Sequence, residues 1–200
     1  ELFLHFGVTM KRLRQSIFWI GVICLIAAGM SQRMWAAPPN VVVILADDMG
    51  FSDLGCYGSE IDTPNFNRLA YGGLRFTQGY NTARCWPTRG ALLTGYYAQS
   101  IRRDKMPGVP GGNRGSRPDW ARLLPERLEA AGYRSYHSGK WHVDGEPLEQ
   151  GFAHSLRIEG GQNDFFDPAG ITVDGKPVEE TDQFYVTTAV GEHAAACLRE

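Results

Sequence analysis

An α/β fold with a central, mostly parallel sheet between helices is predicted by three features of this 200-residue sequence. Val41-Val42-Val43-Ile44-Leu45-Ala46 is a short continuous apolar run rich in β-branched residues. Such a run marks a strand buried on both faces rather than one alternating between core and solvent. A second strand, Tyr133-Arg134-Ser135-Tyr136-His137, follows a helical pattern, so β and α elements alternate. Each strand also leads into a polar cluster, Asp47-Asp48 after the first and Gly139-Lys140-Trp141-His142 after the second. Open α/β sheets bind ligands at the carboxyl ends of their strands.

The remaining elements follow from helix and turn signals. Asp62-Thr63-Pro64 offers a capped helix start with Pro in the first turn; Phe66, Leu69 and Ala70 recur at helical spacing, and Gly72-Gly73 ends the pattern. Leu74-Arg75-Phe76-Thr77 predicts a short strand, and Pro87 to Gly95 a second helix. Met106 to Pro118, rich in Gly, Pro and Arg, reads as a surface loop. Trp120 to Ala131 predicts a helix with Leu123, Leu124, Leu128 and Ala131 on one face, terminated by Gly132. Pro125 weakens that helix or marks its first turn. Gly160 to Val178 reads as a loop carrying a hairpin at Asp174-Gly175. A last helix is expected from Thr181 to Leu198. Two buried strands cannot cover both faces of such a sheet, so the domain is expected to continue past Glu200.

Composition bounds the function. With 43% hydrophobic and 21% charged residues the chain can build a packed core. A formal net charge of -2 offers no basic footprint for a nucleic-acid backbone, so no nucleic-acid partner is expected. The 24 glycines and 11 prolines favour loops and tight turns, where binding residues concentrate.

The first residues read as a leader. Lys11, Arg12 and Arg14 follow Met10 and precede an apolar run from Ile17 to Met30, shorter than the roughly 20 residues a spanning helix needs. Small residues follow, and cleavage is expected between Gly29 and Ala37, with Met10 as the natural start. The expected organisation is therefore a leader over 1–37 and an exported domain over 38–200, periplasmic or secreted. An uncleaved leader would be its one membrane attachment. Cys24 leaves with the leader, so Cys56, Cys85 and Cys197 remain, an odd number that requires at least one cysteine outside an intramolecular disulfide.

Two clusters carry candidate chemistry. Asp47-Asp48 at a strand end is either a turn or a cation site. Cys85 stands immediately before a helix started by Pro87, where unpaired amides and the dipole favour an anion. Arg89, one turn inside, adds a guanidinium able to hold oxyanions by paired hydrogen bonds. These residues suit a sulfate or phosphate ester. The Arg102-Arg103 pair and Lys105 read as a solvated face, and His137, His154 and His193 as satisfied or exposed side chains.

Cys85-x-Pro87-Thr88-Arg89 followed by Gly90-Ala91-Leu92-Leu93-Thr94-Gly95 resembles the sulfatase signature. Three further blocks fit that family in order: Pro39-Asn40 through Asp47-Asp48-x-Gly50, Asp53-Leu54-Gly55-Cys56-Tyr57-Gly58, and Gly132-Tyr133 leading to Gly139-Lys140-Trp141-His142. Tyr185 to Leu198 is similar to the family's helix before its next core strand.

The resemblance implies an alkaline-phosphatase/sulfatase-like sandwich, with 38–200 as the N-terminal part of the catalytic domain. It implies a metal site of Asp47, Asp48 and Cys85, with Ca²⁺ expected and Mg²⁺ compatible with the same oxygen donors. It implies that Cys85 is oxidised to formylglycine by a formylglycine-generating enzyme. The hydrated aldehyde would supply one hydroxyl to attack sulfur and a second whose deprotonation expels sulfate. His142 is then the base, Lys140 contacts formylglycine and sulfate, and Arg89 orients the formylglycine. The implied activity is a sulfuric ester hydrolase acting on carbohydrate or aryl sulfates. Its alternatives are a phosphonate or phosphate monoester hydrolase on the same fold, or a non-catalytic domain that binds sulfated glycans.

The sequence also departs from the family. Val143-Asp144-Gly145 follows His142 where Leu-Gly is common, so the loop there is expected to differ in shape. The family's second metal pair, an acidic residue with Asn, and its leaving-group acid, a further basic residue, fall beyond Glu200, so these 200 residues alone are expected to be inactive.

Overall fold

The computed structural model describes Trp19 and residues 38–105, 108–159, 164–166, 170–178 and 184–200. The expected leader and its cleavage region lie outside these residues, as does the start of the last predicted helix at Thr181. Among the described residues no helix is long and apolar enough to cross a membrane.

The chain divides into two units, Glu1–Ala46 and Asp47–Glu200. In the first, residues 41–46 are not paired as a strand, and Val41, Val43 and Ile44 each keep about three-fifths or more of their surface exposed. The expected buried strand is therefore not formed there. A β-branched run encodes a preference for neighbours on both sides, and the described residues supply no ladder partner to satisfy it.

Among the described residues the second unit holds four α-helices and a four-stranded sheet. Helix α1, Pro64–Gly72, begins as expected with Pro in its first turn. The Thr63 hydroxyl there accepts the Gly55 amide at 2.9 Å rather than capping the helix. No strand follows at Leu74–Thr77, whose Leu74 and Phe76 are exposed. Helix α2, Cys85–Thr94, ends at Gly95 with φ 74, so the expected terminator is correct, but it starts two residues earlier than Pro87. Helix α3 is shorter than expected, Leu124–Glu129, because Pro125 sits in its first turn and Leu123 before it is extended. Residues 108–118 form the expected loop.

The expected second strand is displaced towards the polar cluster. Strand β1 runs Ser135–Lys140 and pairs in parallel with β2, Phe152–Ile158, from Ser135↔Phe152 to Lys140↔Ile158. Strand β2 escaped the sequence reading: its sequence, FAHSLRI, interleaves His, Ser and Arg with apolar residues, so neither a continuous nor a cleanly alternating run marks it. Strands β3, Ile171–Val173, and β4, Lys176–Pro177, complete the sheet in antiparallel fashion, in the order β1-β2-β3-β4. Their two-residue turn is the expected Asp174-Gly175, both at positive φ (49 and 77), as a tight hairpin requires. Helix α4, Val186–Cys197, lies against β1, where the Ser138 hydroxyl donates to the Val190 carbonyl at 2.8 Å.

Two apolar clusters hold these elements. Leu156, Ile171 and Val186 join β2, β3 and α4. Leu123, Trp141 and Phe152 form the other, with Leu93 of α2 and Val143 against it. His137 meets Trp141 and Phe152 edge-on at 5.1 and 5.7 Å, and its Nδ1 lies 3.0 Å from the Ser155 hydroxyl.

Burial pushes the His137 pKa down to about 4, with nearby Arg89 adding to the fall and a backbone hydrogen bond at Lys140 opposing it. In the unfolded chain this group takes up its proton near the ordinary value of 6.5. Its neutral form thus contributes stability above that pH, which is lost as pH falls through about 4. Over that interval the loss is about 3 kcal/mol. Urea midpoints should fall more steeply with acid in the natural chain than in His137→Gln; equal slopes would contradict this assignment.

Candidate active site

The carboxyl end of β1 and the amino end of α2 meet at one place. Cys85 is the first residue of α2, not the one before it as the sequence predicted. Its side chain therefore stands where the helix amides are unpaired and the dipole is positive. The Cys85 Sγ and one carboxylate oxygen from each of Asp47 and Asp48 lie within 4.8 Å of one another. This is the trio expected to hold a cation, brought together across some forty residues of sequence.

Cations from both elements converge on Asp47. Lys140 Nζ, at the last position of β1, lies 2.5 Å from Asp47 Oδ2 and 3.5 Å from Cys85 Sγ. An Arg89 guanidinium nitrogen is 3.9 Å from the same Asp47 oxygen, and another donates to the Lys140 carbonyl at 2.5 Å. Arg89 thus ties α2 to the end of β1. Partial burial would raise the Asp47 pKa, but the Lys140 hydrogen bond, the charges of Lys140 and Arg89, and a hydrogen bond with Cys85 outweigh it, leaving a net fall. Asp47 is therefore an anion throughout the physiological range.

His142 sits two residues beyond β1, at φ 49. Asp48 also has positive φ, at 55. Non-glycine residues held in this region carry local strain, which proteins concentrate at functional sites. Burial lowers the His142 pKa, and the charges of Lys140, Arg114, Arg103 and Arg89 lower it further. The ring is therefore neutral at neutral pH and able to accept a proton. Its Nδ1 is buried and has no hydrogen-bond partner. The ring meets Trp86 edge-on at 5.3 Å. His142 thus adjoins the Cys85 cluster through Trp86 and the backbone, not by a direct hydrogen bond.

Arg103 corrects the sequence reading of a solvated face. It is 7% exposed and donates to the carbonyls of His142 and Gly115, both at 3.3 Å. Asp144 lies 4.0 Å from Arg103 and 2.8 Å from Arg117. The sequence placed Asp144 in a loop of unfamiliar shape. Its carboxylate fixes that loop by joining two guanidiniums, while Trp141 Nε1 donates to the Gly145 carbonyl at 2.7 Å. Cys56 and Cys197 are free and buried, as expected of structural thiols, and Cys85 is free and half-buried. His154 pairs with Asp174 at 2.8 Å, the satisfied histidine that was expected.

Residues 39–198 match the Sulfatase family. The chain belongs to the sulfatase family. Arylsulfatase of Klebsiella aerogenes is 34% identical over 84% of this chain and 40% of its own length. Human arylsulfatase A is 42% identical over 68% of this chain and 28% of its own length. An uncharacterised sulfatase of Schizosaccharomyces pombe is 42% identical over 64% of this chain and 26% of its own. The chain thus spans a quarter to two-fifths of the length of these relatives.

Solved structures agree on the fold. Ps i-CgsB superposes with TM-score 0.69 at 29% identity, over 78% of this chain and 40% of that protein. BT4656, solved in complex with its substrate D-glucosamine-2-N,6-O-disulfate, superposes with TM-score 0.58 at 32% identity, over 74% of this chain and 28% of that protein. The α/β class and the sulfatase-like architecture expected from the sequence are both borne out.

The residues at this candidate site fit a hard divalent cation. Two carboxylates supply hard oxygen donors, and the ammonium drawn onto Asp47 shows how strongly that position demands positive charge. Sulfur is the one soft donor of the three. An oxygen in its place would make the set uniform.

Proposed function

We propose that this chain carries the nucleophile-bearing part of an exported sulfatase, which hydrolyses sulfate esters of carbohydrates or aryl alcohols. The observation that carries the proposal is the convergence of Cys85, Asp47, Asp48 and Lys140 at the start of α2. Asp47, Asp48 and residue 85 would hold Ca²⁺, or Mg²⁺ in its place, and the ion would polarise the ester oxygens and favour an ionised hydroxyl. Formylglycine at position 85, made by a formylglycine-generating enzyme, would provide that hydroxyl where a thiol offers none.

The chain's own side chains then have distinct tasks. Lys140, bound to Asp47 and in reach of residue 85, supplies a point charge for the sulfate oxygens. Arg89 holds the end of β1 against α2, keeping Lys140 and residue 85 in register. His142, neutral and with an unpaired ring nitrogen, accepts the proton whose loss expels sulfate. Each oxyanion-stabilising donor is worth on the order of 2.7–4 kcal/mol in the transition state. Glycan sulfates are supported as substrates by BT4656 and its disulfated sugar. Export rests on the basic and apolar leader of the sequence.

The test compares paired aryl sulfate and aryl phosphonate substrates, using protein expressed from its full reading frame. The sulfate should be preferred in kcat/KM by at least about tenfold, a difference of about 1.4 kcal/mol between transition states. Preference for the phosphonate would instead assign a phosphonate hydrolase, and turnover of neither would leave a glycan-binding domain.

A further inference from the structure

Trp86 carries an arrangement that the chemistry above does not use. Its indole is only 6% exposed, yet two guanidiniums lie over it: Arg84 Cζ at 5.0 Å and Arg114 Cζ at 4.7 Å from the ring centroid. The two cations are therefore no farther apart than the sum of these distances. Among the described residues neither forms an ion pair with a carboxylate, and neither side chain donates a hydrogen bond to the chain. Contact with an indole face offsets part of the repulsion, by about 0.5–2 kcal/mol per cation. It leaves the in-plane N–H donors of both groups unused. Two like charges on one indole, with no carboxylate partner among the described residues, create a local positive potential suited to an anion.

The position of the pair connects it to the site. The same indole meets His142 edge-on at 5.3 Å and directly follows Cys85 in sequence. The loop bearing Arg114 is also anchored there: Arg114 bridges to Arg103 through the backbone, and Arg103 donates to the His142 carbonyl at 3.3 Å. Lys140 and Arg89, by contrast, are committed to Asp47. Arg84 and Arg114 thus share the indole that meets His142, and the charge of Arg114 acts on that ring, apart from the cations that would hold the ester being cleaved.

We propose that Arg84 and Arg114 form a second anion subsite around Trp86, whose indole meets His142, recognising a further oxyanion group, sulfate or carboxylate, on the same substrate molecule. The enzyme would then select multiply charged glycan sulfates over singly charged esters. This rests on the sulfate-ester reading above and specifies its substrate class.

The test is inhibition of para-nitrophenyl sulfate hydrolysis by the protein from its full reading frame. D-glucosamine-2-N,6-O-disulfate and a glucosamine monosulfate serve as competitors, with inorganic sulfate as reference. The natural enzyme should bind the disulfate at least about tenfold more tightly than the monosulfate, as one added charge-assisted contact provides. Arg114→Gln and Arg84→Gln should each cut that ratio to about threefold or less, and Arg114→Lys, which keeps the charge, should retain most of it. Inhibition by inorganic sulfate should stay within about twofold in all three. A ratio near one in the natural enzyme, a ratio unchanged in both Gln variants, or parallel weakening of every competitor would each overturn the subsite. Failure of the natural enzyme to cleave the aryl sulfate would instead overturn the sulfatase reading itself.

Discussion

Cys85→Ala in the protein expressed from its full reading frame should abolish sulfate-ester turnover, with kcat falling on the order of 10⁶-fold, as when a hydrolase loses its covalent nucleophile. The fold should survive. Cys85 is half-buried at the first turn of α2, and its side chain meets only the polar groups of the site, with Lys140 Nζ at 3.5 Å and a hydrogen bond with Asp47. An unchanged melting temperature beside lost turnover would assign the residue to chemistry rather than packing. Retention of even a hundredth of the natural rate would refute a nucleophile at this position.

The second large effect concerns the acid pair. Asp47→Asn and Asp48→Asn should each weaken Ca²⁺ binding by at least about 100-fold, beyond the 10–100-fold seen on losing outer-shell partners of metal ligands. Activity at limiting calcium should fall in proportion. The two variants should differ in stability. Asp47 neutralises Lys140 and Arg89, whose side chains are only 15% and 12% exposed. Asp47→Asn strands both cations and should lower the melting temperature even without calcium, whereas Asp48→Asn should not. Acid should act in the same sense: with its pKa below the ordinary value, Asp47 contributes stability above the normal carboxylate range, and that stability is lost as pH falls through the lowered value. Isothermal titration with calcium, together with thermal melts of both variants, measures these effects. Identical behaviour of the two variants would contradict the distinct role given to Asp47.

Local signals in the sequence located the reactive groups better than they located the sheet. The Pro in the first turn and the terminal Gly of α1, Gly95 after α2, and the Asp174-Gly175 turn were legible because each encodes a backbone conformation of its own. The Asp47, Asp48 and Cys85 trio was legible through its chemistry and its resemblance to a family signature. Strand β2 was not, because its stability comes from lying between β1 and β3 and not from an alternation of its own. Val41–Ala46 erred in the opposite direction, carrying a strand signal with no ladder partner among the described residues. Arg103 was misjudged because its burial depends on Asp144 and the His142 carbonyl, both remote in sequence. Trp86, between Cys85 and Pro87, gave no sequence signal of its link to His142.

Trypsin cuts after Arg84 and Arg89, releasing Cys85–Arg89 as a short peptide. Its mass, in protein expressed from the full reading frame, tests most directly whether position 85 is the nucleophile. An aldehyde should stand in place of the mercaptomethyl group at position 85, reactive towards hydrazide reagents. A peptide that stays fully reduced, in protein that still cleaves a sulfate ester, would contradict that role.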